Sequence, residues 1–178
     1  MNDEIWKKAS DHVLKMEGGY NDVSGDSGGA TNFGISLRFV KGEKLDLDLD
    51  MDGDVDADDI KKLTKEKALE IYKKHFWTDQ EYDHLVHHDV AVKCFDMAVN
   101  MGARQANKII QRSANECGES LKVDGYMGSK TIGSVNYISE GMMANALRKN
   151  QAKFYTDLVK KKPALKKFLK GWLNRAQS

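Results

Sequence analysis

From residue 89 to residue 173 apolar side chains recur at helical spacing with few interruptions, and the only proline of the chain, Pro163, stands near the end of that stretch. Such a pattern restricts the chain to a mostly helical architecture. Residues 89–100 carry Val90, Ala91, Cys94, Phe95, Met97 and Ala98, apolar on more than one side, which predicts a buried central helix. Helices are expected over 103–116, 129–137 and 139–161. Pro163 breaks the last of these and begins a final helix carrying Leu165, Phe168, Leu169, Trp172 and Leu173. Upstream, Ile5, Trp6, Ala9, Val13 and Met16 predict a helix over 3–16. Thr64 is placed to cap another that runs to His75. Residues 20–42 are rich in glycine and small polar residues and are expected to form loops with a short hairpin.

At 178 residues the chain is long enough for one domain. No apolar run approaches the roughly 20 residues that a membrane span needs, so no stable membrane insertion is expected. The N-terminus is charged and lacks an apolar core, so no signal peptide is expected. Cys94 and Cys117 are too few for a disulfide framework and are expected to be reduced, with a single disulfide as the alternative. The net charge of +1 hides an asymmetry: residues 43–59 hold nine acids and one lysine, and residues 148–175 hold ten Lys/Arg and one Asp. The basic stretch is either a solvated helical surface or an attraction to an anionic polymer. No nucleic-acid motif accompanies it, so nucleic acid is not an expected partner. A monomer is expected.

The acidic run has internal order. With Asp48 as the first position, side-chain oxygens from Asp48, Asp50, Asp52, Asp56 and Asp59 alternate, Gly53 falls where such a loop turns sharply, and Asp54 supplies a backbone carbonyl. This is the spacing of an EF-hand-like or dockerin-like calcium loop, with Asp59 in place of the usual glutamate. A single loop argues for a structural Ca2+ that plays no part in chemistry. The competing reading is a solvated acidic linker.

The chemistry-bearing stretch is Glu17-Gly18-Gly19-Tyr20, followed by Asp22, Asp26, Gly28-Gly29 and Thr31. Glycosidic cleavage needs a proton donor for the leaving oxygen and a group that activates water or stabilises the sugar cation. A free glutamate titrates near about 4.3, and partial burial at a helix end raises that value toward a useful acid. Glu17 fits the acid. Asp26 and Thr31 fit the groups that hold water, with Asp22 as the competing second carboxylate. Tyr20, Tyr72, Phe76 and Trp77 are candidate sugar-facing aromatics, although packing explains such residues equally well, and Asn100 is a candidate polar residue of the cleft. His84, His87 and His88 lack the spacing of a zinc site.

The segment from Glu17 through Asp26-Ser-Gly-Gly-Ala-Thr31-Asn-Phe-Gly-Ile35 resembles the glycoside hydrolase family 108 muramidases, some labelled secretion activator proteins and others phage endolysins. Further blocks of the same resemblance are Phe95-Asp96-Met-Ala-Val-Asn100-Met-Gly102, Val123-Asp-Gly-Tyr-Met-Gly128-Ser-Lys-Thr131 and Phe168-Leu-Lys-Gly-Trp-Leu-Asn-Arg175. The resemblance implies a lysozyme-like helical fold with a glycine-rich catalytic loop. It implies hydrolysis of the β-1,4 bond between N-acetylmuramic acid and N-acetylglucosamine in bacterial peptidoglycan, with Glu17 as the catalytic acid. It also implies a catalytic region over 1–93 and a peptidoglycan-binding-like helical region over 94–178 that share one core. Phage-type lysozymes carry an Asp nine residues after the catalytic Glu and a Thr shortly after, a gap that Glu17, Asp26 and Thr31 reproduce. The expected route is synthesis in the cytoplasm and action on the wall after holin-dependent or other release. The alternatives are a non-catalytic, calcium-stabilised wall-binding protein and a peptidoglycan peptidase or amidase.

Overall fold

The computed structural model describes residues 2–16, 19–21 and 29–178. In chain order the elements are α1 (Asn2–Met16), β1 (Thr31–Asn32), β2 (Ile35–Ser36), α2 (Leu37–Gly42), α3 (Ala57–Lys62) and α4 (Lys65–Ile71). A π-helical stretch (Tyr72–Thr78) and a 3-10 turn (Tyr82–His84) lead to α5 (His88–Met101), α6 (Ala103–Glu116), α7 (Ser129–Tyr137) and α8 (Glu140–Lys161). A second 3-10 segment (Pro163–Phe168) opens into α9 (Leu169–Gln177). The chain is mainly α, as its periodicity predicts, and its helices suit a lysozyme-like domain. No described helix is long and apolar enough to cross a membrane.

The centre of the molecule is α5, with α1, α6, α8 and the π-helical stretch packed around it. Val90, Ala91, Cys94, Phe95, Met97 and Ala98 are all fully buried, so the helix is apolar on several sides because it has neighbours on several sides. Trp6 of α1 meets Phe95 and Trp77 edge-on, with ring centroids 5.5 and 5.7 Å apart. Edge-to-face pairs of this kind add about 0.5–1.5 kcal/mol each beyond area burial. Both cysteines are free, Cys94 in the core and Cys117 partly exposed.

Three local features depart from the expected pattern. Residues 37–42 form a helix instead of loop, because the Ser36 hydroxyl accepts the Phe39 amide at 3.2 Å and Val40 gives the turn an apolar anchor. The helix capped by Thr64 does not stop at His75. It widens after Ile71, and the Asp79 amide donates to the Lys74 carbonyl at 2.8 Å. That i→i+5 pattern lets Tyr72, Phe76 and Trp77 all turn inward, at 1%, 9% and 2% exposure. Tyr72 and Trp77 are spent on core packing, which corrects the expectation that they face sugar.

The third feature is the hairpin. Thr31 pairs with Ser36 and Asn32 with Ile35, leaving Phe33 and Gly34 as a two-residue turn. Both have positive φ, 48° and 75°, the geometry of a type I′ turn that matches strand twist. Glycine adopts it freely, whereas a bulky residue such as Phe33 adopts it only when the surroundings hold it. Here the Tyr72 hydroxyl donates to the Phe33 carbonyl and the Phe33 ring packs on the core.

Candidate active site

Residues around the hairpin are held from three directions. Asn21 pairs with Thr31 through two backbone bonds of 2.8 Å, which sets Tyr20, 41% exposed, at the edge of the hairpin. The Thr31 hydroxyl donates to the Gly29 carbonyl at 3.3 Å. From behind, the buried Asn32 amide donates to the Ile60 carbonyl at 3.0 Å, at the end of α3. Glu17, Asp22 and Asp26 lie outside the described residues. Among the candidates that are described, Tyr20 and Thr31 are brought together. Asn100 sits in the last turn of α5, half-buried, and its Oδ1 accepts the Tyr155 hydroxyl of α8 at 2.6 Å. Gln151 in turn donates to that hydroxyl at 3.1 Å, so Asn100 is oriented by a polar chain from α8.

The acidic run folds into two groups of carboxylates, each with ligand atoms within 4.8 Å of one another: Asp48, Asp50 and Asp52, and Asp54, Asp56 and Asp59. Either group could hold a divalent cation. Asp54 joins its group through its carboxylate, where the spacing predicted a carbonyl. Asp48 accepts the amides of Asp52 and Gly53 at 3.2 and 3.1 Å and so closes the loop on itself. Asp50 presents a buried Oδ1 with no hydrogen-bond partner, while its Oδ2 lies 3.2 Å from Lys62 Nζ. The carboxylate of Asp52, with that of Asp56, pushes the Asp54 pKa up.

Asp59 is fully buried. It accepts the Leu49 amide at 2.6 Å and the Asp56 amide at 2.8 Å, completing a capping box with Asp56 at the start of α3. Burial works to raise its pKa, but the amides of Asp56, Leu49 and Asp50 and the nearby Lys62 outweigh it, so the carboxyl titrates below its ordinary value. A lowered acid contributes stability above its unfolded pKa and loses it as pH falls through the folded value. From Asp59 the path to the hairpin is short: α3 ends at the carbonyls that Asn32 holds.

A groove of about 720 Å³ opens beside these elements. Phe39 of α2 with Glu43 just after it, and His75 and Phe76 of the π-helical stretch with Asp79 just after it, form one wall. Arg104 and Lys108 of α6, with Tyr126, form the other, and Met101 and Gly102 close the end of α5. The groove thus starts one residue beyond Asn100, and α2 follows directly on the hairpin.

Residues 10–102 match the family model described as glycosyl hydrolase 108. The chain belongs to that family. Residues 105–177 match a second model, described as a predicted peptidoglycan domain, and the junction falls at the break between α5 and α6. A solved structure of Brucella abortus SagA is similar to this glycosyl hydrolase 108 chain, at 29% identity and a TM-score of 0.78, over 97% of this chain and 89% of that one. No curated protein matches it. Sequence reasoning missed Asn32, Arg104 and Lys108. A polar residue in a two-residue strand and two cations on an amphipathic helix read as ordinary surface until their neighbours are known.

Proposed function

We propose that the protein is an N-acetylmuramidase that cleaves the β-1,4 bond between N-acetylmuramic acid and N-acetylglucosamine, with Glu17 as the general acid. The observation that carries the reading is the family match over 10–102, which spans Glu17 and the hairpin, followed at once by a peptidoglycan domain. The glycan lies across the end of α1 and the hairpin, with Tyr20, Asp22 and Asn100 as contacts. Glu17 protonates the bridging oxygen as the bond to the muramic acid anomeric carbon breaks. Asp26 and Thr31 hold a water that attacks that carbon from the opposite face. The product anomer is therefore inverted. If NMR of the first-formed product showed the retained β-anomer, Asp26 would not be the water-holding base. A protein with Asp26→Asn is expected to lose about 10²-fold or more in rate, and full activity in it beside an inactive Asp22→Asn protein would move the role to Asp22.

The enzyme acts on the wall after release from the cytoplasm and works as a monomer, with residues 1–93 and 94–178 sharing the core through α5. The acidic loop binds Ca2+, held by Asp48, Asp50, Asp52, Asp54, Asp56 and Asp59. The buried, unpartnered Oδ1 of Asp50 and the mutual repulsion around Asp54 fit a hard cation that takes several oxygen ligands. The ion has no part in bond cleavage. It braces α3, and through Asn32 the hairpin. Saturating Ca2+ is expected to raise the melting temperature by about 5–10 °C at roughly 100 Kd, and Asp50→Asn to remove most of that rise. Equal melting temperatures in Ca2+ and in chelator would end the calcium reading.

A further inference from the structure

The groove between α2 and α6 carries more charge than a glycan requires. In a strand that bears peptides the muramic acid lactyl group is amide-linked, so the sugars are neutral. Yet one wall presents Glu43 and Asp79 and the other Arg104 and Lys108. Arg104, Lys108 and Glu43 make no ion pair among the described residues, and the partner of Asp79 is His75, 3.4 Å away on its own wall. The two signs therefore face the groove without neutralising each other across it. A polyanion such as nucleic acid would call for cations alone.

The basic wall is built in advance of any ligand. Asn107 donates to Gln80 at 3.0 Å and to the Gly125 carbonyl at 3.2 Å, tying the walls together at the floor. Gln111 donates to Asp124 and to the Tyr126 carbonyl and accepts the Gly125 amide at 2.9 Å, which fixes the turn at 124–126. Gly125 has φ +86°, and a Cβ there would stand 2.7 Å from the Arg104 carbonyl, so the turn sits against α6 only with glycine. The Arg104 guanidinium lies over the Tyr126 ring at 5.5 Å, which holds its plane and leaves its edge for a carboxylate.

We propose that this groove binds the peptide stem of peptidoglycan, with Arg104 and Lys108 taking its carboxylates and Glu43 and Asp79 its free amine. The inference rests on the peptidoglycan substrate proposed above and names the part of it that the hydrolase selects. A stem tetrapeptide joined to its sugar offers carboxylates on its isoglutamyl, diamino acid and terminal residues and one amine on its diamino acid, both signs that the groove complements. Its size suits a groove of about 720 Å³, within the roughly 300–1,000 Å³ of small-ligand sites. The walls come from both regions of the chain, so glycan at the hairpin and peptide in the groove would be read together.

The test is titration of the full-length protein with synthetic N-acetyl-L-Ala-D-isoglutamyl-meso-diaminopimelyl-D-Ala, followed by NMR, with glycan hydrolysis measured separately on peptide-free strands. Expected are shifts at Glu43, Arg104, Lys108 and Tyr126 and a Kd near or below about 1 mM, weakened about 10-fold or more in Arg104→Glu/Lys108→Glu. If charge reversal disturbs folding, Glu43→Gln/Asp79→Asn, at exposed sites, replaces it and should weaken this peptide but not the form acetylated on its diaminopimelyl amine as well. No shift up to about 10 mM, or shifts unaltered by the folded variants, overturns the assignment. Cleavage of bare glycan without tetrapeptide binding would leave the muramidase standing and remove the groove site. Tetrapeptide binding without cleavage would do the reverse.

Discussion

Glu17→Gln protein is expected to digest purified peptidoglycan at least ~10³-fold more slowly than wild type, with its circular dichroism and melting temperature unchanged. Glutamine keeps the size of the side chain and much of its hydrogen bonding but has no proton to deliver to the leaving oxygen. Glycosidic oxygens are poor leaving groups unless protonated as the bond breaks, so the loss falls on the chemical step. It should appear in kcat and leave wall binding intact, because the groove and the α6–α9 region do not depend on that proton. Mass spectrometry of the digest decides what the wild type does. Fragments that end in reducible N-acetylmuramic acid identify a muramidase. New free amino termini without reducing ends would identify a peptidase or amidase, and binding without either product a wall-binding protein. Wild-type activity in Glu17→Gln would remove Glu17 from the mechanism whatever the products.

Much of the architecture was legible because helical spacing is a local property. Residues 89–100, 103–116, 129–137 and 139–161 form helices within a residue or so of where their apolar positions put them. What was not legible depended on partners far away in sequence. Tyr72, Phe76 and Trp77 read equally as sugar-stacking or core aromatics. Only the widened helix, packed against Phe95 and Trp6, puts Tyr72 and Trp77 in the core, while Phe76 packs on Phe39 and also lines the groove. The short helix at 37–42 hides because six residues hold too little periodicity to register. In the acidic run the alternation of aspartates was plain. Their division into two clusters, and the capture of Asp59 by three backbone amides, were not, since both follow from the path of the loop. The motif around Glu17 announces itself by residue type and gap alone. The bonds that hold the hairpin and Asn100, Asn32 on α3 and Tyr155 on Asn100, span 28 and 55 residues of sequence and leave no local mark.

The largest loss of stability is expected from Arg175→Met, at about 3–5 kcal/mol. Asp96, fully buried on α5, receives Arg175 Nε and Nη2 on one oxygen, each at 2.9 Å, with His12 Nε2 3.6 Å away. Its other oxygen, Oδ2, has no hydrogen-bond partner, so His12 and the guanidinium on Oδ1 are what offset its burial. One turn back, buried Lys93 donates to the carbonyls of Arg175 and Ala176 at 2.8 and 3.0 Å and pins the last turn of α9. Burial pushes the Lys93 pKa down to about 8, against the pull of Asp96. For Asp96 burial works upward, but His12, Arg175 and Lys93 together hold the carboxyl below its ordinary value. The acid is thus stabilised as an anion in wild type, and its contribution is present above the unfolded pKa and fades as pH falls below it. Methionine removes the strongest cationic partner and leaves burial unopposed from that side. The Asp96 pKa should then rise, so this group's contribution shrinks and the gap between variant and wild type narrows as pH drops from neutrality toward about 4. Denaturant midpoints of both proteins at pH 5 and pH 7 measure it, and Asp96→Leu/Arg175→Met should recover part of the loss because no charge stays buried. A loss below about 1 kcal/mol, independent of pH, would mean that apolar contacts alone dock α9 on α5 and that the ion pair is incidental.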